Sequence, residues 1–121
     1  MARVMIVDDS PTDVQNIRNI LVKAGHQPIE SNGGQDALDR IKKEMPDVII
    51  MDVVMPGVNG FQATRQLAKD PVTAKIPIMV VSSKNQESDR MWALRQGAKD
   101  YLVKPVKESE LLAKLSALIG G

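Results

Sequence analysis

Charged and hydroxyl side chains follow four short apolar runs of this chain. Residues 4–7 precede Asp8 and Asp9, residues 48–51 precede Asp52, residues 78–81 precede Ser82, and residues 101–103 precede Lys104. If the four runs are parallel strands of one sheet, their carboxyl ends lie at the same edge. Three carboxylates, a hydroxyl and an ammonium would then converge at that edge.

Such a group of side chains is suited to phosphoryl chemistry. Carboxylates held within a few ångströms repel one another, and a bound divalent cation usually neutralises this repulsion. Hard oxygen ligands, without histidine or cysteine beside them, favour Mg²⁺. Lys104 could hold phosphoryl oxygens and Ser82 could donate its hydroxyl. An aspartate in this setting can itself be the nucleophile, and Asp52, after the most apolar run, is the best placed.

Each of these residues, taken singly, also has an ordinary structural explanation. An aspartate after a strand is most often a helix N-cap or a turn residue, and a lone Lys-Pro pair carries little information. Caps and turns explain the residues separately but not their shared edge. The joint occurrence therefore favours the chemical interpretation.

The rest of the pattern predicts about five strand–helix units. Ser10 is the expected N-cap of the first helix, with Pro11 at its first position, Asp13 completing a capping-box-like start and Gly25 ending it. A second strand at 27–30 carries a proline and suits a sheet edge. Further helices are expected at 34–44 (capped by Asn32), 61–69, 86–96 and 107–119. Strict alternation requires a parallel sheet with helices on both faces.

Composition narrows the class of protein. The 121 residues predict a single domain, 1–121, with no output domain after it. Sixteen basic against 15 acidic residues and an aromatic content of 2% argue against nucleic-acid binding. Neither a membrane-length apolar run nor a signal-peptide pattern occurs, so we expect no membrane association and a cytoplasmic location.

Several motifs together resemble the receiver domain of two-component response regulators. They are Asp8-Asp9-Ser10, Asp52 followed by Met55-Pro56 and Gly60, Ser82, and the run 97–105 ending in Lys104-Pro105. The resemblance covers the whole chain in order and spacing. It implies an α/β fold of the flavodoxin-like, doubly wound kind, with a five-stranded parallel sheet in the order 2-1-3-4-5 and helices on both faces.

The resemblance also implies a metal site and a phospho-acceptor. Asp52 would accept a phosphoryl group from a histidine kinase. Asp9 and Asp52 would ligate Mg²⁺ directly, Asp8 mostly through water, and the backbone carbonyl of Val54 would supply another oxygen.

Three further residues have implied roles in reading the phosphoryl group. Lys104 would contact it, and the Lys104-Pro105 bond would be cis. Ser82 and Tyr101 match the switch pair, in which the hydroxyl turns toward the phosphoryl oxygen and the ring packs inward. The added charge would bias a two-state equilibrium on the face of the fourth helix, fifth strand and fifth helix, where a downstream protein would bind a monomer.

Several functional possibilities remain open at this point. The expected role is a stand-alone regulator, signalling by protein binding or acting as a phosphate sink, and within the family the chain looks most like regulators of twitching motility and type IV pili. Alternatives are a receiver cut from a longer regulator and a Mg²⁺-dependent phosphatase with an aspartate nucleophile. Val54, two residues after Asp52, cannot act as acid or base, which disfavours the phosphatase and predicts a phosphoryl group that is not unusually short-lived. Flavin binding is disfavoured because Asp8 and Asp9 would repel a phosphate.

A few side chains are expected to lie outside the chemistry. Five methionines, Met45, Met51, Met55, Met79 and Met91, are predicted to fill the core or its margin. His26 is expected to be solvated. Trp92 lies off the apolar stripe of its helix, so partial exposure is expected.

Overall fold

A computed structural model describes residues 1–31, 33, 35–55 and 58–120 of the chain. Its strands are β1 (Arg3–Val7), β2 (Gln27–Ser31), β3 (Val48–Asp52), β4 (Val54–Met55), β5 (Val58–Asn59), β6 (Ile78–Ser82) and β7 (Asp100–Val103). Its helices are α1 (Pro11–Lys23), α2 (Gln35–Glu44), α3 (Gly60–Lys69), α4 (Glu87–Arg95) and α5 (Glu108–Leu118).

Five of the strands form one parallel sheet in the order β2-β1-β3-β6-β7. Counting only these five, the order is the predicted 2-1-3-4-5, and the flavodoxin-like fold is confirmed. The difference in detail is that β4 and β5 pair antiparallel with each other outside this sheet. The sequence indicated only a turn-rich segment there.

Alternate residues of the central strands face opposite layers of helices, as the two-residue repeat of a strand requires. Val4 and Ile6 of β1 pack in one apolar cluster, with Leu111 of α5. Met5 of the same strand packs in a second cluster, with Ile41 of α2. All residues of β3 and β6 are buried, which explains why each strand is apolar up to its last residue.

The predicted N-cap of α1 is confirmed, but only half of its capping box forms. The Ser10 hydroxyl accepts a hydrogen bond from the Asp13 N–H at 3.4 Å. The Ser10 N–H, which the Asp13 carboxylate would accept in a full box, donates instead to Asp8 Oδ1 at 2.9 Å. Asn59 caps α3, accepting from the Phe61 N–H at 2.8 Å. The predicted cap Asn32 lies outside the described residues.

Met51, Met55 and Met79 are buried as predicted, but two of the five predictions about methionines are wrong. Met45 is 43% exposed and Met91 is 51% exposed. Met45 directly follows α2 with a φ of 45°, which takes it off the buried stripe of that helix. Met91 lies on α4, a helix whose single buried residue is Ala93. Trp92 on the same helix is 49% exposed, as expected.

Three further predictions have clear outcomes. His26 is half-buried rather than fully solvated, and its Nδ1 accepts a hydrogen bond from the Ala2 N–H at 3.0 Å. The Lys104-Pro105 peptide bond is cis, as the resemblance implied. Among the described residues, no helix has the length and apolar character needed to cross a bilayer.

Candidate functional site

The sheet register brings the reactive strand ends to one level. Val7 lies beside Met51, Asp52 beside Val81, and Ser82 beside Val103. Four adjacent strands therefore end at the same level. Asp52 and Ser82 are the last residues of β3 and β6, and Asp8 and Lys104 directly follow β1 and β7. The site lies at the carboxyl edge of the sheet, where ligands of doubly wound sheets bind.

Asp8, Asp9 and Asp52 form the acidic part of the site. Each offers one carboxylate oxygen, and these oxygens lie within 4.8 Å of one another. Asp8 and Asp52 are buried, whereas Asp9 is exposed. Oxygens bound to one Mg²⁺ at about 2.1 Å are separated by roughly 3 to 4 Å, so a small movement would let these three share an ion. The donor chemistry, oxygen only, fits Mg²⁺.

The Lys104 ammonium contacts three carboxylates. Its Nζ is 2.8 Å from Asp13 Oδ2, 3.0 Å from Asp8 Oδ2 and 3.5 Å from Asp52 Oδ1. The side chain is 13% exposed. Asp13 is the residue that sequence reasoning missed, because a helix-capping role already accounted for it.

These contacts shift the pKa values of the lysine and its nearest partner in opposite directions. Burial alone would lower the pKa of Lys104, but the hydrogen bonds with Asp13 and Asp8 outweigh it and raise that pKa above its ordinary range. The hydrogen bond with Lys104 lowers the pKa of Asp13. Lys104 therefore stays protonated at physiological pH.

Asp52 has the opposite electrostatic character. Burial raises its pKa, and the neighbouring Asp8 carboxylate raises it further, against the opposing effects of Lys104 and the Val53 N–H. The Val53 N–H donates to Asp52 Oδ1 at 2.9 Å. Among the described residues, none donates a hydrogen bond to Oδ2. Asp52 thus carries one anchored oxygen and one unengaged oxygen in a setting that disfavours its charge.

Gly60 fits tightly behind Asp52. A Cβ at this position would lie 2.7 Å from Val53 Cα and 2.9 Å from the Asp52 carbonyl carbon, and closer still to the Asp52 carbonyl oxygen. The Gly60 N–H also donates to the Val53 carbonyl at 2.9 Å. The first residue of α3 therefore supports the end of β3 directly through backbone contact.

The side chains of Ser82 and Tyr101 both form hydrogen bonds with the backbone of Lys84. The buried Ser82 hydroxyl accepts from the Lys84 N–H at 3.1 Å. The Tyr101 hydroxyl donates to the Lys84 carbonyl at 2.9 Å, and its buried ring packs with Ala93 of α4. Burial raises the pKa of Tyr101, so the hydroxyl stays protonated. The segment between β6 and α4 is thus tied to both side chains.

Val54, two residues after Asp52, is 63% exposed. It lines a shallow groove with Lys84 and Asn59. A larger groove, lined by Met1 and His26 among others, contains none of the converging residues. The chemistry is therefore concentrated at a shallow surface and not in this larger groove.

Comparison with known proteins agrees with this architecture. Residues 4–116 match the family described as Response regulator receiver domain. The chain is 51% identical to Protein PilH of Pseudomonas aeruginosa over 121 residues, which is the full length of both.

Two solved structures illustrate the structural likeness. One is the receiver domain of the sensor histidine kinase PA1611 from Pseudomonas aeruginosa, with a magnesium ion coordinated in its active site cleft (TM-score 0.90, 28% identity, 99% of this chain and 98% of that one). The other is the Vibrio cholerae chemotaxis protein CheY4 (TM-score 0.89, 30% identity, 98% of both chains).

Proposed function

Because this chain belongs to the response regulator receiver family, we propose that it is a phospho-acceptor switch in which Asp52 takes a phosphoryl group from a histidine kinase. The observation that carries the proposal is the position of Asp52. It is buried beside two carboxylates, within 3.5 Å of the Lys104 ammonium, and it has one oxygen free of hydrogen bonds from the described residues.

The transfer follows from the two different oxygens of Asp52. Oδ2 attacks the phosphorus of a phosphohistidine as the P–N bond breaks, and the imidazole nitrogen keeps the electron pair and takes up a proton. The Val53 N–H holds Oδ1, which fixes the direction of the carboxylate. Lys104 supplies a compact positive charge next to the three phosphoryl oxygens.

Asp8, Asp9, Asp52 and the backbone carbonyl of Val54 would hold Mg²⁺. When bound, the ion supplies positive charge to the phosphoryl oxygens. The three carboxylate oxygens within 4.8 Å of one another support this assignment. They also explain why the site would favour a cation, since Asp8 raises the pKa of Asp52 by repulsion.

Ser82 and Tyr101 would couple phosphorylation of Asp52 to a structural change outside the site. If the Ser82 hydroxyl turns toward a phosphoryl oxygen, the Lys84 N–H loses its present acceptor, so the segment before α4 is released to move. The face formed by α4, β7 and α5 would bind a downstream protein. Trp92 and Met91, both about half exposed on α4, supply apolar contact area there.

The biological setting is proposed from the likeness to PilH. We place this chain as a stand-alone, cytoplasmic, monomeric regulator of twitching motility and type IV pili, acting by protein binding or as a phosphate sink. The identity of 51% over the full length of both chains supports that placement. The organisation as a single domain, 1–121, stays a prediction.

The proposal is for a signalling domain and not for an enzyme with a separate substrate. A phosphatase with an aspartate nucleophile needs an acid or base two residues further on. Val54 occupies that position with an exposed apolar side chain. The chain would therefore assist its own phosphorylation and dephosphorylation without turning over another molecule.

Mass spectrometry of the intact protein tests the assignment. After incubation with Mg²⁺ and acetyl phosphate, the wild type should gain one phosphoryl group that is stable in acid and labile in base. Asp52→Ala should gain none, whereas Asp36→Ala, a change at an exposed aspartate of α2, should behave as the wild type. Equal labelling of Asp52→Ala and wild type would place the acceptor elsewhere.

A further inference from the structure

Asp13 has a carboxylate that its own helix does not use. It stands in the first turn of α1, where an acidic side chain commonly accepts the N-cap N–H. That N–H, from Ser10, goes to Asp8 instead. The Asp13 carboxylate points into the phosphorylation site, where its Oδ2 is 2.8 Å from Lys104 Nζ.

Among the described residues, Asp13 makes the shortest ion pair with the Lys104 ammonium. Asp8 Oδ2 follows at 3.0 Å, and Asp52 Oδ1 lies at 3.5 Å, an ion-pair distance rather than a good hydrogen bond. A lysine ammonium has three N–H donors. Asp13 and Asp8 occupy two of them, which leaves one for an oxygen carried by Asp52.

We infer that Asp13 is a positioning residue for phosphoryl transfer, which acts by holding the Lys104 ammonium, together with Asp8, so that its remaining donor serves the phosphoryl group on Asp52. The inference rests on the proposed phospho-acceptor role of Asp52. Lysine has a long, flexible side chain, and two anchored donors remove much of the freedom that would otherwise be lost during transfer.

A different effect of the same carboxylate would act in the opposite direction. As a bare negative charge near the site, Asp13 would repel an anionic phosphoryl donor, and its removal would accelerate phosphorylation. As a positioning residue it accelerates the reaction, and its removal slows it. The sign of the change in rate therefore separates the two roles.

The test measures the initial rate of Asp52 phosphorylation by acetyl phosphate at saturating Mg²⁺. We expect Asp13→Asn, which keeps the shape and loses the charge, to slow the rate about fivefold, as for loss of a partly exposed charge-assisted hydrogen bond. Asp13→Glu restores a carboxylate and should recover most of the rate. The matched control is Glu108→Gln, which removes an acid from the first turn of α5 and an exposed ion pair with Lys23, and should leave the rate unchanged.

A second arm asks whether Asp13 works through the lysine. In a Lys104→Gln background, adding Asp13→Asn should change the rate no further, because the group that Asp13 holds is already gone. A fivefold loss that persists in this background would mean that Asp13 acts by another route.

The outcomes separate this inference from the function on which it rests. A wild type that takes up no phosphoryl group on Asp52 overturns both. A phosphorylated wild type with an unchanged or faster Asp13→Asn variant overturns the positioning role alone. A slow Asp13→Glu variant also overturns it, since a restored carboxylate should hold the ammonium again.

Discussion

Replacing Gly60 by alanine should destabilise the protein and disable the site together. The added methyl group would meet backbone on two residues, with Val53 Cα at 2.7 Å, the Asp52 carbonyl carbon at 2.9 Å, and the Asp52 carbonyl oxygen nearer than either. Backbone atoms of a buried strand cannot rotate away as a side chain can. The end of β3, which carries Asp52, must therefore separate from the start of α3.

The size of the effect follows from these distances. Carbon atoms pack best at about 3.5 Å or more, so the strand and helix must part by at least about 1 Å. Overpacking of this kind costs about 3 kcal/mol at the upper end of its usual range. The separation also weakens the hydrogen bond from the Gly60 N–H to the Val53 carbonyl, now 2.9 Å, at about 1 kcal/mol. A total near 4 kcal/mol is a large part of the roughly 5 to 15 kcal/mol that a domain has.

Urea unfolding measures this loss, and Gly25→Ala is the matched control. Gly25 has a φ of 88°, but no neighbouring atom lies within 4 Å of the place that a methyl group would take, so alanine there suffers backbone strain alone, about 1 to 2 kcal/mol. Gly60→Ala should lose at least twice as much free energy of unfolding as the control and should also phosphorylate slowly. A Gly60→Ala variant as stable as Gly25→Ala would refute the close packing behind Asp52.

Three other changes have expected outcomes. Folding raises the pKa of Asp52 above its ordinary 3.8, so the ionised form of Asp52 opposes folding. Asp52→Asn should therefore be more stable than the wild type at pH 7, and in urea titrations this difference should shrink as the pH falls through the folded pKa and vanish below about 3.8. A difference in stability that does not depend on pH would contradict this. Saturating Mg²⁺ should stabilise the wild type by about 2.7 kcal/mol at a hundredfold excess over Kd, and EDTA should reverse the effect. The same Mg²⁺ should have little effect on the stability of Asp9→Asn. Equal stabilisation of both proteins would mean that the metal binds elsewhere. The phosphoryl group on Asp52 should outlast seconds, and Val54→Glu, which places a carboxylate beside it, should shorten its lifetime; a wild-type decay within seconds would count against the role given to Val54.

The sequence predicted the sheet and the strand ends because both depend on short, regular patterns. Fully apolar runs identify the buried strands, and the parallel order then places whatever follows them at one edge. Asp52 and Lys104 could be brought together in this way although 52 positions separate them in the sequence. The antiparallel pair β4–β5 could not be predicted, because strands of two residues have too short a pattern to be distinguished from a turn.

The sequence-based predictions failed where a local pattern already explained a residue and gave no sign of its contacts elsewhere in the fold. Ser10 and Asp13 fit a capping pattern, so nothing in the sequence pointed to a contact between Asp13 and Lys104, 91 residues away. Met91 was expected inside because an apolar residue on a helix usually is. However, α4 buries only Ala93, and a helix with so narrow a contact leaves its remaining apolar side chains in solvent.

The charge of the site separates the contribution of Mg²⁺ from that of Asp13. The site contains four carboxylates, those of Asp8, Asp9, Asp13 and Asp52, and the ammonium of Lys104, so the formal charge of this group is four negative against one positive. A divalent cation offsets two of the three excess negative charges and so eases the approach of an anionic donor. It cannot supply the hydrogen bond that Asp13 makes to Lys104 at 2.8 Å. Raising Mg²⁺ should therefore increase the phosphorylation rates of wild type and Asp13→Asn in parallel, and a rate deficit that disappeared at high Mg²⁺ would assign Asp13 to metal binding instead.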